Sequence, residues 1–291
     1  MTRQRISIAA HDGIALAAYR HAPKQAARAN VVIAAAMAVP QTYYADLAAY
    51  LADQGFCVWT FDYRDMAESA TGSMRNSTAD ISIWIARDYD AVIQHAGDAD
   101  NKLPLLVIGH SLGGQVAPLL PSNGRISGLV NIAVGSGAVR HNQPKLQRSS
   151  RMLWYFLVPL LCPLFGYFPG RRIGVIGDLP APAMYQWRRW CVTPDYILSG
   201  EPAAREAYAR ATFPILALTF LDDELLRASG SRMLHEAYVS AKVDYREVGP
   251  EDFGLRRIGH FGFFKPAIGR VMWPLVSNWL NQRVGEINDP T

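Results

Sequence analysis

Cysteine is scarce in this 291-residue chain, which has only three: Cys57, Cys162 and Cys191. An odd number without ligand spacing argues against a disulfide scaffold or a zinc site as the organising feature. A reducing, cytoplasmic setting is the expectation. Charge is also thin: charged residues make up 19%, and the net charge is +4. The basic residues fall in scattered pairs such as Arg171-Arg172, Arg188-Arg189 and Arg256-Arg257. Nucleic acid calls for a continuous basic stripe, so no such partner is expected. Low-complexity tracts are absent, which sets the disordered classes aside. Met1 to Arg5 leads straight into alternating apolar residues, without the apolar core of an export signal. The run Val31 to Val39 is too short to span a membrane. Met152 to Phe168 carries no charge, but Pro159 and Pro163 would break a backbone ladder that lipid cannot replace.

What the chain has is apolar material, 50% of its residues, arranged in a β-α rhythm. Ile6 and Ile8, a turn at Asp12-Gly13, then Ile14, Leu16 and Ala18 make an opening antiparallel hairpin. Val31 to Ala36 reads as a strand buried on both faces, Thr42 to Gln54 as a helix and Phe56 to Phe61 as the next strand. A helix over Ala79 to His95, a strand over Leu103 to Ile108, a helix over Leu112 to Leu120 and a strand over Arg125 to Ala133 follow. The rhythm stops, then resumes with a strand at Pro214 to Phe220, a helix near Gly230 to Val239, a strand at Val243 to Val248 and a helix from Pro266 to Leu280. This predicts a mostly parallel sheet of about eight strands with helices on both faces. One core domain is expected in two parts, residues 1–138 and 212–291, with residues 139–211 inserted between them as a lid. An apolar insertion after a central strand can shape and dry a substrate pocket; the plainer alternative is that it extends the core.

Gly109-His110-Ser111-Leu112-Gly113-Gly114 stands between the strand ending at Ile108 and the helix after it. A G-x-S-x-G turn there presents a serine hydroxyl at the tip of a strained bend, so Ser111 is the candidate nucleophile. A serine needs a base to take its proton and an acid to orient that base. Among seven histidines, His260 lies in a glycine-flanked loop beyond the last strand and is expected to be exposed and mobile. His110 adjoins Ser111 and is assigned a structural role. The acid is Asp222 or Asp223, both emerging after the strand that begins at Pro214, at the sheet edge where ligands bind. The other carboxylate is expected to be exposed or to cap the next segment.

Ser111, then the Asp pair, then His260 is the order of nucleophile, acid and base in the α/β-hydrolase superfamily, which this chain resembles over nearly its whole length. Phe61 to Ser69 is similar to the D-x-R-G-x-G-x-S segment of monoglyceride-lipase-like and serine-aminopeptidase-like members, with Asp65 and Ala67 standing where that segment has glycines. Asp178-Leu179-Pro180 with Gln186 to Trp190 and Pro194-Asp195-Tyr196, followed by Ile258 to Phe264, is similar to a bacterial branch of predicted hydrolases. The resemblance implies Asp223 over Asp222, from its register after Pro214, and an oxyanion hole made by the backbone N–H groups of Leu112 and Met37. It implies a serine hydrolase working through an acyl-enzyme on an apolar acyl or aromatic ester, a small-molecule substrate, with no metal and no cofactor. The same triad serves an acyltransferase, thioesterase, amidase or peptidase. A reading of another class is a non-catalytic binding protein that uses Met152 to Phe168 as a peripheral membrane-docking surface.

Overall fold

Continuous apolar runs become strands buried on both faces. A computed structural model describes residues 1–289, so Pro290 and Thr291 of the second core part lie outside the described residues. Its main sheet has eight strands in the order β1-β2-β4-β3-β5-β6-β9-β10. They are β1 (Thr2–Ala9), β2 (Ala15–Ala22), β3 (Asn30–Ala34), β4 (Cys57–Phe61), β5 (Leu105–His110), β6 (Ile126–Ile132), β9 (Ile215–Phe220) and β10 (Val243–Val248). A separate two-stranded ribbon is formed by β7 (Tyr167–Phe168) and β8 (Leu179–Pro180). The β1–β2 and β2–β4 pairings are antiparallel, and the rest of the main sheet is parallel.

Alternation within each run divides the core. Val32, Val107 and Trp59 face one apolar cluster, while Val31, Ile108 and Val58 face the other. From β3 the chain steps to β4 on one side, then crosses back to place β5 on the other. The carboxyl ends of β3 and β5 therefore flank the point where strand order reverses, which leaves a crevice between their exit loops.

The helix expected over Leu112 to Leu120 is broken: it runs Leu112–Gln115 and gives way to a single 3-10 turn, Ala117–Leu119. Pro118 has no N–H to continue the ladder, and Leu120, which precedes Pro121, is extended. The helix expected to end at His95 continues to Ala99 through a π-helical turn at Trp84–Tyr89, and the last helix continues past Leu280 to Asn288.

The inserted region has more regular structure than its sequence showed. It contains helices Pro144–Met152, Val158–Phe165, Ala181–Val192 and Ala204–Arg210. The first two are joined by a π-helical turn, Leu153–Leu157, directly before Pro159. Trp154, Val158, Cys162, Met184 and Trp190 of this region join the apolar cluster on one face of the sheet. Among the described residues, no helix is long and apolar enough to cross a membrane.

Candidate active site

β5 ends at His110, and Ser111 takes φ 48° and ψ −113°, a left-handed conformation that costs a residue with a Cβ about 1–3 kcal/mol. Its N–H donates to the Ile132 carbonyl (3.1 Å), tying the bend to β6. The flanking glycines make the bend possible. A Cβ on Gly109 would lie 2.3 Å from the Gly114 Cα, and one on Gly113 would lie 2.3 Å from the Ala34 carbonyl oxygen. Strand, bend and helix come this close only without those side chains. Ser111 and His260 line one mostly apolar cavity of about 100 Å³. Leu225, Leu226 and Phe261 wall it from the core, and Ile176, Trp187 and Tyr196 from the inserted region.

The two aspartates divide their work. Asp223 is buried, and its Oδ2 lies 2.7 Å from His260 Nδ1. Its Oδ1 accepts from the N–H groups of Leu225 (2.7 Å) and Leu226 (2.9 Å). An ionised carboxylate only accepts, so His260 Nδ1 carries the hydrogen and Nε2 keeps the lone pair that can take a proton. Asp222 neither stands free nor caps the next segment. Its two oxygens accept from the N–H groups of Ile258 (2.8 Å) and Gly259 (3.0 Å). Glu224, which sequence reasoning missed, accepts from the His260 N–H (3.0 Å). Three consecutive acids thus grip the histidine segment, two by its backbone and one by its ring.

The expectation of an exposed imidazole at position 260 is overturned. His260 is 2% exposed and sits in a helical turn, Gly259–Gly262. Gly259 takes φ 63°, a conformation that disfavours a side chain, and Glu224 Oε2 would lie 2.5 Å from a Cβ there. The inserted region also steadies the acid: Gln143 Nε2 donates to the carbonyls of Asp223 (2.8 Å) and Leu226 (3.1 Å).

Met37, after β3, and Leu112, after Ser111, both border the cavity. Neither backbone N–H donates to an acceptor among the described residues. Two free N–H groups beside a serine are the kind of donors that an oxyanion would require.

Residues 25–165 match the family model of the S33 serine aminopeptidases. Solved structures of similar fold include a soluble variant of monoglyceride lipase from Saccharomyces cerevisiae with a substrate analogue, at 16% identity and TM-score 0.69 over 96% of this chain and 94% of that one. A thermostable carboxyl esterase from Bacillus coagulans with glycerol matches at 12% identity and TM-score 0.64, over 98% and 99%. The Pyrococcus furiosus esterase Pf2001 matches at 13% and 0.60, over 97% and 90%. The chain has the α/β-hydrolase fold. A comparison with curated proteins finds no match.

Two further features support the candidate site. His110 is fully buried; its Nδ1 meets the Tyr44 hydroxyl (2.9 Å) and its Nε2 the His260 carbonyl (3.1 Å). The Tyr44 oxygen already accepts from the Ala36 N–H (2.9 Å), so its hydrogen goes to Nδ1, and His110 donates through Nε2. Burial first, and then the neighbouring His260 ring, hold His110 well below the ordinary imidazole range, so it is neutral. It links the loop after β3 to the histidine segment, consistent with the structural role expected of it.

The second feature is the Asp62–Ser69 segment. Asp62 is buried, accepting from the Gln41 backbone (2.8 Å) and side chain (3.0 Å) and from the Glu68 N–H (3.2 Å). Arg64 bridges Asp88 and Asp12. Asp65 and Ala67 take φ 62° and 40°. The turn therefore holds two left-handed positions without glycine, at a steric cost of roughly 1–2 kcal/mol each. Among the described residues no group of three or more His, Cys, Asp and Glu is placed to hold a metal ion.

Proposed function

We propose that this protein is a serine esterase that cleaves carboxylic esters with an apolar acyl or aromatic group through an acyl-enzyme. Ser111 attacks the ester carbonyl while His260 Nε2 takes its proton, and Asp223 holds the imidazole by Nδ1 and stabilises the positive charge it gains. The N–H groups of Met37 and Leu112 take the carbonyl oxygen as it becomes negative. His260 then returns the proton to the leaving alcohol, and a water activated by the same ring hydrolyses the acyl-enzyme. The observation that carries this reading is His260, held by the buried Asp223, in the wall of the same apolar cavity as the strained Ser111.

An insertion that walls the cavity with Ile176, Trp187 and Tyr196 acts in this reading as a cap that dries the acyl pocket. The names of the solved neighbours, a monoglyceride lipase and two esterases, point the same way. The name of the matching family raises aminopeptidase activity as a second reading. A peptide amino terminus calls for a carboxylate facing the pocket, and the residues lining the Ser111 cavity include no Asp or Glu. Kinetics on a p-nitrophenyl ester series beside matched aminoacyl-anilides test the choice. Ester turnover that Ser111→Ala abolishes supports an esterase; anilide turnover exceeding ester turnover would overturn it.

A further inference from the structure

The helical run over residues 144–165 presents an apolar row to solvent that the catalytic site does not use. Met152, Phe156, Leu160 and Leu164 recur every fourth residue and are 53%, 69%, 63% and 67% exposed. Trp154, Val158 and Cys162 recur with the same spacing and are buried, so the run has a clear inner and outer face. The π-helical turn at Leu153–Leu157 widens the period enough to keep the row aligned.

The rim of this face is basic. Arg188 lies over the Tyr155 ring (5.8 Å) and Arg172 over Phe165 (5.7 Å), while Lys145, Arg148, Arg151 and Arg171 are exposed nearby in sequence. No Asp or Glu occurs between Asp100 and Asp178. A helix lying in a membrane interface has this pattern, with apolar side chains toward the acyl chains and long basic ones toward the head groups.

We propose that this face docks the protein on an anionic lipid surface. Charge selects lipid over a second copy of the chain: in a symmetric dimer through this row, each basic rim would meet its like, whereas acidic head groups neutralise it. The inserted region that carries the row also supplies Ile176 and Trp187 to the Ser111 cavity, so docking would bring that cavity beside the lipid surface. The proposal does not rest on the esterase reading.

Vesicle flotation of the full chain tests it, with phosphatidylcholine alone and with equimolar phosphatidylcholine and phosphatidylglycerol. The expected result is recovery with the anionic vesicles, little with the neutral ones, and loss of most binding in high salt. A Phe156→Ser, Leu160→Ser, Leu164→Ser variant should bind anionic vesicles about tenfold less or weaker still. Its circular dichroism spectrum and melting curve report folding independently of any activity. Equal recovery of wild type and variant, no binding to anionic vesicles, or concentration-dependent dimerisation that the variant abolishes would each overturn the proposal.

Discussion

Replacing either aspartate by asparagine separates orientation of the base from support of its backbone. In Asp223→Asn, the side-chain oxygen stays with the N–H groups of Leu225 and Leu226, which need an acceptor. The new NH2 then faces His260 Nδ1, where the carboxylate oxygen now sits at 2.7 Å. Nδ1 must accept, so the ring's hydrogen moves to Nε2, and Nε2 can no longer take the serine proton. A change of this kind costs about 10⁴-fold in kcat, roughly 5.5 kcal/mol. In Asp222→Asn, one of the N–H groups of Ile258 and Gly259 loses its acceptor while the ring keeps its partner. Asp222 is half-buried, so water compensates in part and the loss is about 1–2 kcal/mol of stability, with kcat reduced by about tenfold or less. The assays are kcat on p-nitrophenyl butyrate and urea unfolding. An Asp223→Asn enzyme within tenfold of wild type, or an Asp222→Asn enzyme as inactive as it, would refute the division of labour.

Other sites give equally direct expectations. Ala67→Gly relieves a residue at φ 40° and should stabilise by about 0.5–1 kcal/mol, raising Tm by about 2 °C in calorimetry; a lower Tm would contradict the strain. Burial holds His235 at about 4, with Nδ1–H donating to the Ser231 carbonyl (2.8 Å) and Nε2 accepting from Asn131 (3.0 Å). The unfolded chain takes up this proton near pH 6.5, the folded chain only near 4. This contribution is therefore full above pH 6.5 and is lost as pH falls toward 4, by up to about 3 kcal/mol. Urea midpoints at pH 7 and pH 5 should show the fall, and His235→Gln should flatten it; an unchanged slope would contradict the assignment. Trp187→Ala removes a wall of the Ser111 cavity and should shift the preferred p-nitrophenyl ester toward longer acyl chains, whereas an unchanged chain-length profile would remove Trp187 from the pocket.

The strands were legible because alternating or continuous apolar runs such as Val31 to Ala34 and Leu105 to Ile108 fix both their type and their depth. The order of Ser111, the aspartates and His260 was legible because each follows a strand end. What sequence did not carry is side-chain geometry. Nothing in Asp222-Asp223-Glu224 says that one acid meets a ring and two meet backbone N–H groups, since that depends on how the segment at Ile258 folds back. Glycines around His260 read as mobility, yet Gly259 serves a left-handed backbone position, φ 63°. The first two inserted helices were hidden because a π-helical turn stretches their period to four residues and prolines interrupt it. Asp65 and Ala67 broke the glycine pattern of their segment, while the backbone kept the left-handed turn.

The central claim is that Ser111 is a nucleophile activated by His260. Intact-protein mass spectrometry after exposure to a fluorophosphonate tests it most directly, with peptide mapping of the adduct. The account predicts one phosphonyl group per chain on Ser111, absent in Ser111→Ala and formed far more slowly in His260→Ala. A folded wild-type protein that takes no label at Ser111, or labels equally fast without His260, would contradict it.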